Sequence, residues 1–167
     1  MIDSPINKRQ TLGALVISAS LLVGTAINEG YTSRAVQPLP GDKLTIGFGN
    51  TAGVAKNSVT TPVRSLITLE NDLEGRKAAI AKCVHVPLYQ YELDAYMDFA
   101  YNVGTSAFCK STLVIRLNTQ NYAGACNELK LWAQFHGKYN AALAKRRDRE
   151  YNTCMGFDTI RTTNANP

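Results

Sequence analysis

The chain has 167 residues, 45% hydrophobic and 19% charged, with a formal charge of +5 and a pI near 9.1. That is one domain's worth of chain with apolar material for its own core, and it excludes a disordered or fibrous protein. The basic balance fits any anionic partner (nucleic acid, membrane surface or acidic wall polymer) and does not choose among them.

Lys8 and Arg9 precede a stretch without formal charge from Gln10 to Asn28. Its apolar part, residues 11–27, holds eight large aliphatic side chains among nine Gly, Ala, Ser or Thr. As one helix it would reach roughly 25 Å, against about 30 Å of bilayer hydrocarbon. It can be targeted to a membrane but spans it marginally, and the basic flank keeps its leading end inside. Four readings stand: a cleaved signal peptide with Gly24 and Ala26 at the cut, a stable anchor, a weak anchor that later slips out, and a buried core helix. The first three export residues 28–167, which speaks against nucleic acid as the partner.

Further along, Pro38, Pro40, Gly41 and Asp42 mark a turn. Residues 45–49 read as a short strand interrupted by glycine. Thr60-Thr61-Pro62 starts a helix. Its apolar face is Val63, Leu66, Leu69, Leu73 and Ile80, and it runs to about Lys82. After Pro87 a second helix is predicted over 90–103, with Leu93, Met97 and Ala100 in a stripe and Gly104 as its stop. Short helices are predicted at 107–109 and 111–118. Tyr122, Cys126, Leu129 and Ala133 form another apolar face, and 140–154 is a basic helix. The tail 158–167 is polar and reads as loose. A small β element followed by a helical body is an α+β arrangement.

The four cysteines, Cys83, Cys109, Cys126 and Cys154, form no CxxC pair, and neither His85 nor His136 has zinc-site spacing to them. An even count in an exported chain fits two disulfides, with three connectivities open. No metal or cofactor is expected. The nucleophile elbow GxSxG, the phosphate loop GxxxxGK[ST] and HExxH are all missing. Glu29 stands out as the first charge after the uncharged run. Partial desolvation at that apolar junction would raise its carboxyl pKa, as a glycosidic general acid requires. The plainer reading is a charge at a helix end or membrane boundary.

Glu29-Gly30-Tyr31 followed by Thr45-Ile46-Gly47-Phe48-Gly49-Asn50-Thr51 resembles the active-site region of phage-type lysozymes, glycoside hydrolase family 24. The likeness continues through Tyr101-Asn102-Val103-Gly104, Ala107-Phe108-Cys109, Ser111-Thr112-Leu113 and Gly124-Ala125-Cys126. It ends with Trp132, Gly137-Lys138 and Arg146-Arg147 through Glu150 to Cys154. With the leading segment it is similar to the signal-arrest-release endolysins of phages that infect Gram-negative hosts. The resemblance implies a lysozyme-like fold, with a β-hairpin lobe, a helical lobe and a glycan cleft between. It implies hydrolysis of the β-1,4 bond between N-acetylmuramic acid and N-acetylglucosamine of peptidoglycan, leading to host lysis. Glu29 would be the acid, and Thr45 would place the water. Arg146 or Arg147 would reach toward Glu29, and Asn102 would contact sugar or cap its helix.

The sequence departs from the family at one point. The family pattern is Glu, eight residues, Asp or Cys, five residues, Thr. Here Pro38 and Leu39 occupy the middle position counted from either side, and the gap is one residue longer. Asp42 is the only carboxylate between Glu29 and Thr45. It is either a displaced second carboxylate or the end of a turn. Two carboxylates would give inversion; Glu29 alone would leave a lytic transglycosylase route. Hydrolysis is the expectation, because Thr45 is in place. A non-catalytic, membrane-tethered peptidoglycan-binding protein is the alternative class.

Under the same resemblance the cysteines pair as Cys83–Cys109, flanking the central helix, and Cys126–Cys154, joining C-terminal helices. Residues 1–27 form the membrane segment and 28–167 the catalytic domain. The protein reaches the host periplasm tethered to the inner membrane through residues 11–27, then becomes a released monomer. No cysteine lies in the segment or beside Glu29, so release does not work by disulfide exchange. Instead the freed segment refolds as the helix leading into Glu29. Cleavage after Ala26 would remove that helix, so retention is expected. Trp132, Tyr96, Tyr101 and Tyr122 read as core or core edge. Lys145, Arg146, Arg147 and Arg149 read as a solvated face with one arginine in the cleft.

Overall fold

A computed structural model describes residues 8–157; the tail expected to be loose lies outside them. The chain forms two compact units. One is Ile17–Gly75; the other holds the described residues up to Val16 and those from Arg76 onward. The uncharged stretch is therefore divided between the two.

In the unit Ile17–Gly75, helix α1 is Ala19–Glu29. Ser18 starts it: its Oγ accepts the Leu21 N–H at 3.0 Å, satisfying one of the free donors of the first turn. Leu21, Thr25 and Ala26 are buried, while Val23 is 53% and Ile27 75% exposed. The single apolar helix expected over 11–27 is not formed. Leu12–Ala14 is one 3-10 turn, and Leu15 and Ser18 are extended. Leu12 and Leu15 are buried with the other unit, so core burial takes these residues out of a continuous helix. No helix among the described residues is long and apolar enough to cross a membrane.

After α1, strand β1 (Thr32–Val36) pairs antiparallel with β2 (Thr45–Gly47). Thr32 faces Gly47 and Val36 faces Thr45, so the longer β1 bulges against the shorter β2. The other edge of β1 is bonded to residues 58–60, through Ala35 N–H to Ser58 O at 3.1 Å and Thr60 N–H to Ser33 O at 3.0 Å. Helix α2 (Pro62–Ile80) begins there, with proline at its first position as the sequence predicts.

The second unit is helical. Its elements are α3 (Gln90–Val103), α4 (Thr105–Cys109), α5 (Thr112–Asn118), α6 (Tyr122–Leu129) and α7 (Ala141–Cys154). Helix α3 is the centre: Leu93, Tyr96, Met97, Phe99 and Ala100 are completely buried, together with Phe108, Leu113, Leu117 and Leu129. It packs on α7, which also packs on α6. Ser111, Asn121 and Asn140 cap α5, α6 and α7 through their side-chain oxygens. Disulfide Cys83–Cys109 joins the turn after α2 to the end of α4, and Cys126–Cys154 joins the middle of α6 to the end of α7. Helix α6 stops at Leu129, short of Ala133, which is buried beyond it. A second hairpin, β3 (Gln134–Phe135) with β4 (Lys138–Tyr139), was not expected. Its two-residue turn is His136 and Gly137, both at positive φ, as a type I′ hairpin turn requires.

Candidate active site

The first group of residues belongs to the unit Ile17–Gly75. Glu29 is the last residue of α1, and the chain turns away at Gly30. Glu29 is exposed. The buried face of α1 lies on Leu21, Thr25 and Ala26. Opposite it, Ile46 and Asn50 exchange both main-chain bonds, at 2.9 and 3.0 Å, and close a tight turn over 47–49. Gly49 in that turn has φ +84, and a β-carbon there would lie 3.1 Å from Glu29 Oε2. Glycine thus lets the backbone come up to the carboxyl.

Aromatic contacts brace the same corner. The Tyr31 and Phe48 rings lie 5.3 Å apart, and the Tyr31 hydroxyl donates to Thr60 O at 3.2 Å. Gly47, at φ +66, is pressed on buried Ser65 of α2: a β-carbon there would sit 2.5 Å from Ser65 Oγ. That hydroxyl is 3.0 Å from Thr60 Oγ1. None of these braces was singled out in sequence, although the Gly-x-Gly spacing at 47–49 was the available signal.

Thr45 opens β2 and is half-buried, its hydroxyl donating to Lys43 O at 3.3 Å. Asp42 is exposed in the turn beyond the end of the strand pair. Its N–H donates to Leu39 O at 3.0 Å, and its carbonyl accepts from Gln37 Nε2 at 2.9 Å.

The second group lies in the helical unit, between α3 and α7. Arg146 Nη2 donates to Asp98 Oδ1 at 2.7 Å, and its Nε donates to Glu150 Oε1 at 3.1 Å. While Lys145 and Arg149 of the same basic run are exposed, Arg147 is completely buried. Its Nη2 donates to Asn102 Oδ1, its plane lies over Phe99 at 4.8 Å, and its Nη1 is 3.1 Å from Glu150 Oε2. Burial lowers the Arg147 pKa and pushes the Glu150 carboxyl up to about 8, the latter against the pull of Arg147 and Arg146. Asn102 is thus held by Arg147, and both guanidiniums are bonded within their own unit. Asp98, one turn before Asn102, went unremarked in sequence; its spacing to Asn102 was the only signal. Among the described residues no cluster of His, Cys, Asp and Glu is placed to hold a metal ion.

Comparison with known proteins gives a consistent result. The family model described as phage lysozyme matches residues 26–150, a range that contains Glu29, Asp42, Thr45, Asn102, Arg146 and Arg147. The chain is 40% identical over 111 residues to the endolysin of Salmonella phage P22, covering 64% of this chain and 75% of that one. It is 28% identical over 146 residues to the SAR-endolysin of bacteriophage PS119, covering 86% and 87% respectively. The crystal structure of a P22 lysozyme mutant matches with a TM-score of 0.76 at 31% identity, over 84% of this chain and 99% of that chain.

Proposed function

Since the chain belongs to the phage lysozyme family, whose members of this type are glycoside hydrolases, we propose that it is an endolysin cutting the β-1,4 bond between N-acetylmuramic acid and N-acetylglucosamine of peptidoglycan. The observation that carries this reading is the Glu29 carboxyl at the end of α1, with the Gly49 backbone brought up against it.

In the reaction Glu29 gives its proton to the leaving glycosidic oxygen as the bond from that oxygen to the anomeric carbon breaks. A water oxygen bonds to the same carbon, and its proton passes to the second carboxylate, Asp42. The Thr45 hydroxyl donates to Lys43 O, so its lone pairs are free to accept from that water. Asn102, fixed by Arg147, supplies an amide for sugar hydroxyls. Arg146 sets the electrostatics of the helical face with Asp98 and Glu150.

A second reading is favoured by one observation: the main chain of Asp42 is spent on closing its turn. If its carboxylate serves only there, Glu29 acts alone as acid and then base, and the sugar's own hydroxyl displaces the leaving group. Mass spectrometry of the sugar ends from digested peptidoglycan separates the two. Reducing muramic acid ends establish the hydrolase; anhydro-muramic ends establish the transglycosylase. No release from folded protein sinks both and leaves a binding protein.

The protein is exported to the host periplasm, tethered to the inner membrane through residues 11–27, and works as a monomer after release. Two observations support the tether. No formal charge stands from Gln10 to Asn28. Val16, Val23 and Ile27 are left more than half exposed in that stretch, an apolar surface suited to lipid. Helix α1 is the refolded form of the segment's second half, and it delivers Glu29. Recovery of active protein with residue 27 as its N-terminus would sink this account.

A further inference from the structure

Residues 9–16 are fastened to the helical unit by a set of contacts unlike those of a loose leader. Arg9 forms a two-pronged ion pair with Glu92, Nη2 to Oε1 at 2.7 Å and Nε to Oε2 at 3.0 Å. Its plane lies over the rings of Tyr122 at 3.6 Å and Tyr89 at 4.5 Å. Gln10 exchanges both main-chain hydrogen bonds with Leu88, at 2.7 and 2.8 Å. Leu12 and Leu15 are buried, and Lys77 Nζ donates to Leu15 O at 2.9 Å. The Gln90 amide pairs with both main-chain groups of Val16.

Glu92 is the centre of this site. It is only 2% exposed, and its Oε2 also accepts the Tyr89 N–H at 2.8 Å at the start of α3. A carboxylate so enclosed needs a partner, because an unpaired buried charge is strongly destabilising. That partner comes from a residue 83 positions away, across the whole uncharged stretch. We propose that the helical unit carries a receptor for the chain's own released segment, with Arg9 as its clasp. This rests on the membrane reading above. While the segment spans the bilayer, its basic flank is on the inner side and α3 is on the outer side. The pair between Arg9 and Glu92 therefore forms only after Arg9 has crossed. Once formed, it holds Leu12 and Leu15 in protein instead of lipid and keeps the segment from reinserting.

The test uses the full chain with Arg9→Lys and, separately, Glu92→Gln. Lysine keeps the flank basic but loses the fork and the stacked plane. Glutamine keeps an acceptor for the Tyr89 N–H but loses the charge. Passage from membrane to periplasm is followed in expressing cells. Purified protein is also floated with phosphatidylethanolamine–phosphatidylglycerol vesicles, and amide exchange at Gln10 and Leu88 is read by mass spectrometry. Both variants are expected to partition into vesicles at least tenfold more than wild type. Their Gln10 and Leu88 amides should exchange at least tenfold faster, while thermal melts show a folded body. Wild-type partition and protection in both variants overturns the clasp alone. A wild-type chain never found in the membrane fraction of cells overturns the membrane reading and the clasp with it.

Discussion

Gly49 and Glu29 are fitted to each other so closely that the glycine's missing side chain is part of the acid's surroundings. A β-carbon at position 49 would lie 3.1 Å from Glu29 Oε2, at a backbone φ of +84 that side chains rarely adopt. Gly49→Ala is therefore expected to displace the carboxyl or the turn. Misplacement on that scale costs about tenfold to a hundredfold in kcat. KM should change little. Wall-clearing kinetics beside a thermal melt check it; wild-type kcat in a folded variant removes Gly49 from the account.

Glu29→Gln removes the transferable proton without changing shape. Activity should fall by about a hundredfold to ten-thousandfold. The melting temperature should stay put, because the side chain is exposed and fills no core space. Asp42→Asn tests the second carboxylate in the same assay: a loss of about a hundredfold is expected for a base. An unchanged rate returns Asp42 to its turn.

Most of the helical unit was legible because strong local signals agreed. Pro87 ahead and Gly104 behind bracket α3 at the predicted limits. The failures have physical causes. Continuous apolar character over 11–27 suggested one helix, but periodicity does not reveal that Leu12 and Leu15 are buried with a different unit from Leu21. Strands β3 and β4 have two residues each, too few for an alternating pattern. Glu29 was visible from the charge map, but its exposure was not. The Asp98, Asn102, Arg146 and Arg147 group joins residues 45 and 48 positions apart, and a basic run reads as a wet surface until its partners are known.

The Arg147–Glu150 pair gives a pH signature. Burial pushes the folded Glu150 carboxyl to about 8, against 4.5 as its ordinary value. Between those values the folded chain keeps a proton that the unfolded chain has lost. Stability from this group is therefore full below about pH 4.5 and is lost as pH rises toward 8. Urea titrations at several pH values should show that slope, and Glu150→Gln should flatten it. Arg147→Met should cost about 1–3 kcal/mol by leaving the Asn102 Oδ1 without its donor. A loss below 1 kcal/mol, roughly the scale of an exposed pair, would mean that the cluster is not the buried network described.

The two disulfides close loops of nearly equal span, 26 and 28 residues, so their chain-entropy contributions are matched at about 3 kcal/mol each. Their exposure differs. Cys126 and Cys154 are buried, whereas Cys83 and Cys109 are half-exposed. Under limiting reductant, Cys83–Cys109 should open first, read by alkylation and peptide mapping. Simultaneous or reversed opening would refute the access argument.

The division of the uncharged stretch between two protein interiors limits how this gene product can be trimmed or tagged. Removing residues 11–27 to make a tractable reagent would strip Leu12 and Leu15 from one core and Leu21, Thr25 and Ala26 from the other. Keeping them retains Val16, Val23 and Ile27 on the outside. A concentrated stock therefore carries a built-in tendency toward self-association, which is best managed by mild detergent or polar replacements at those three positions.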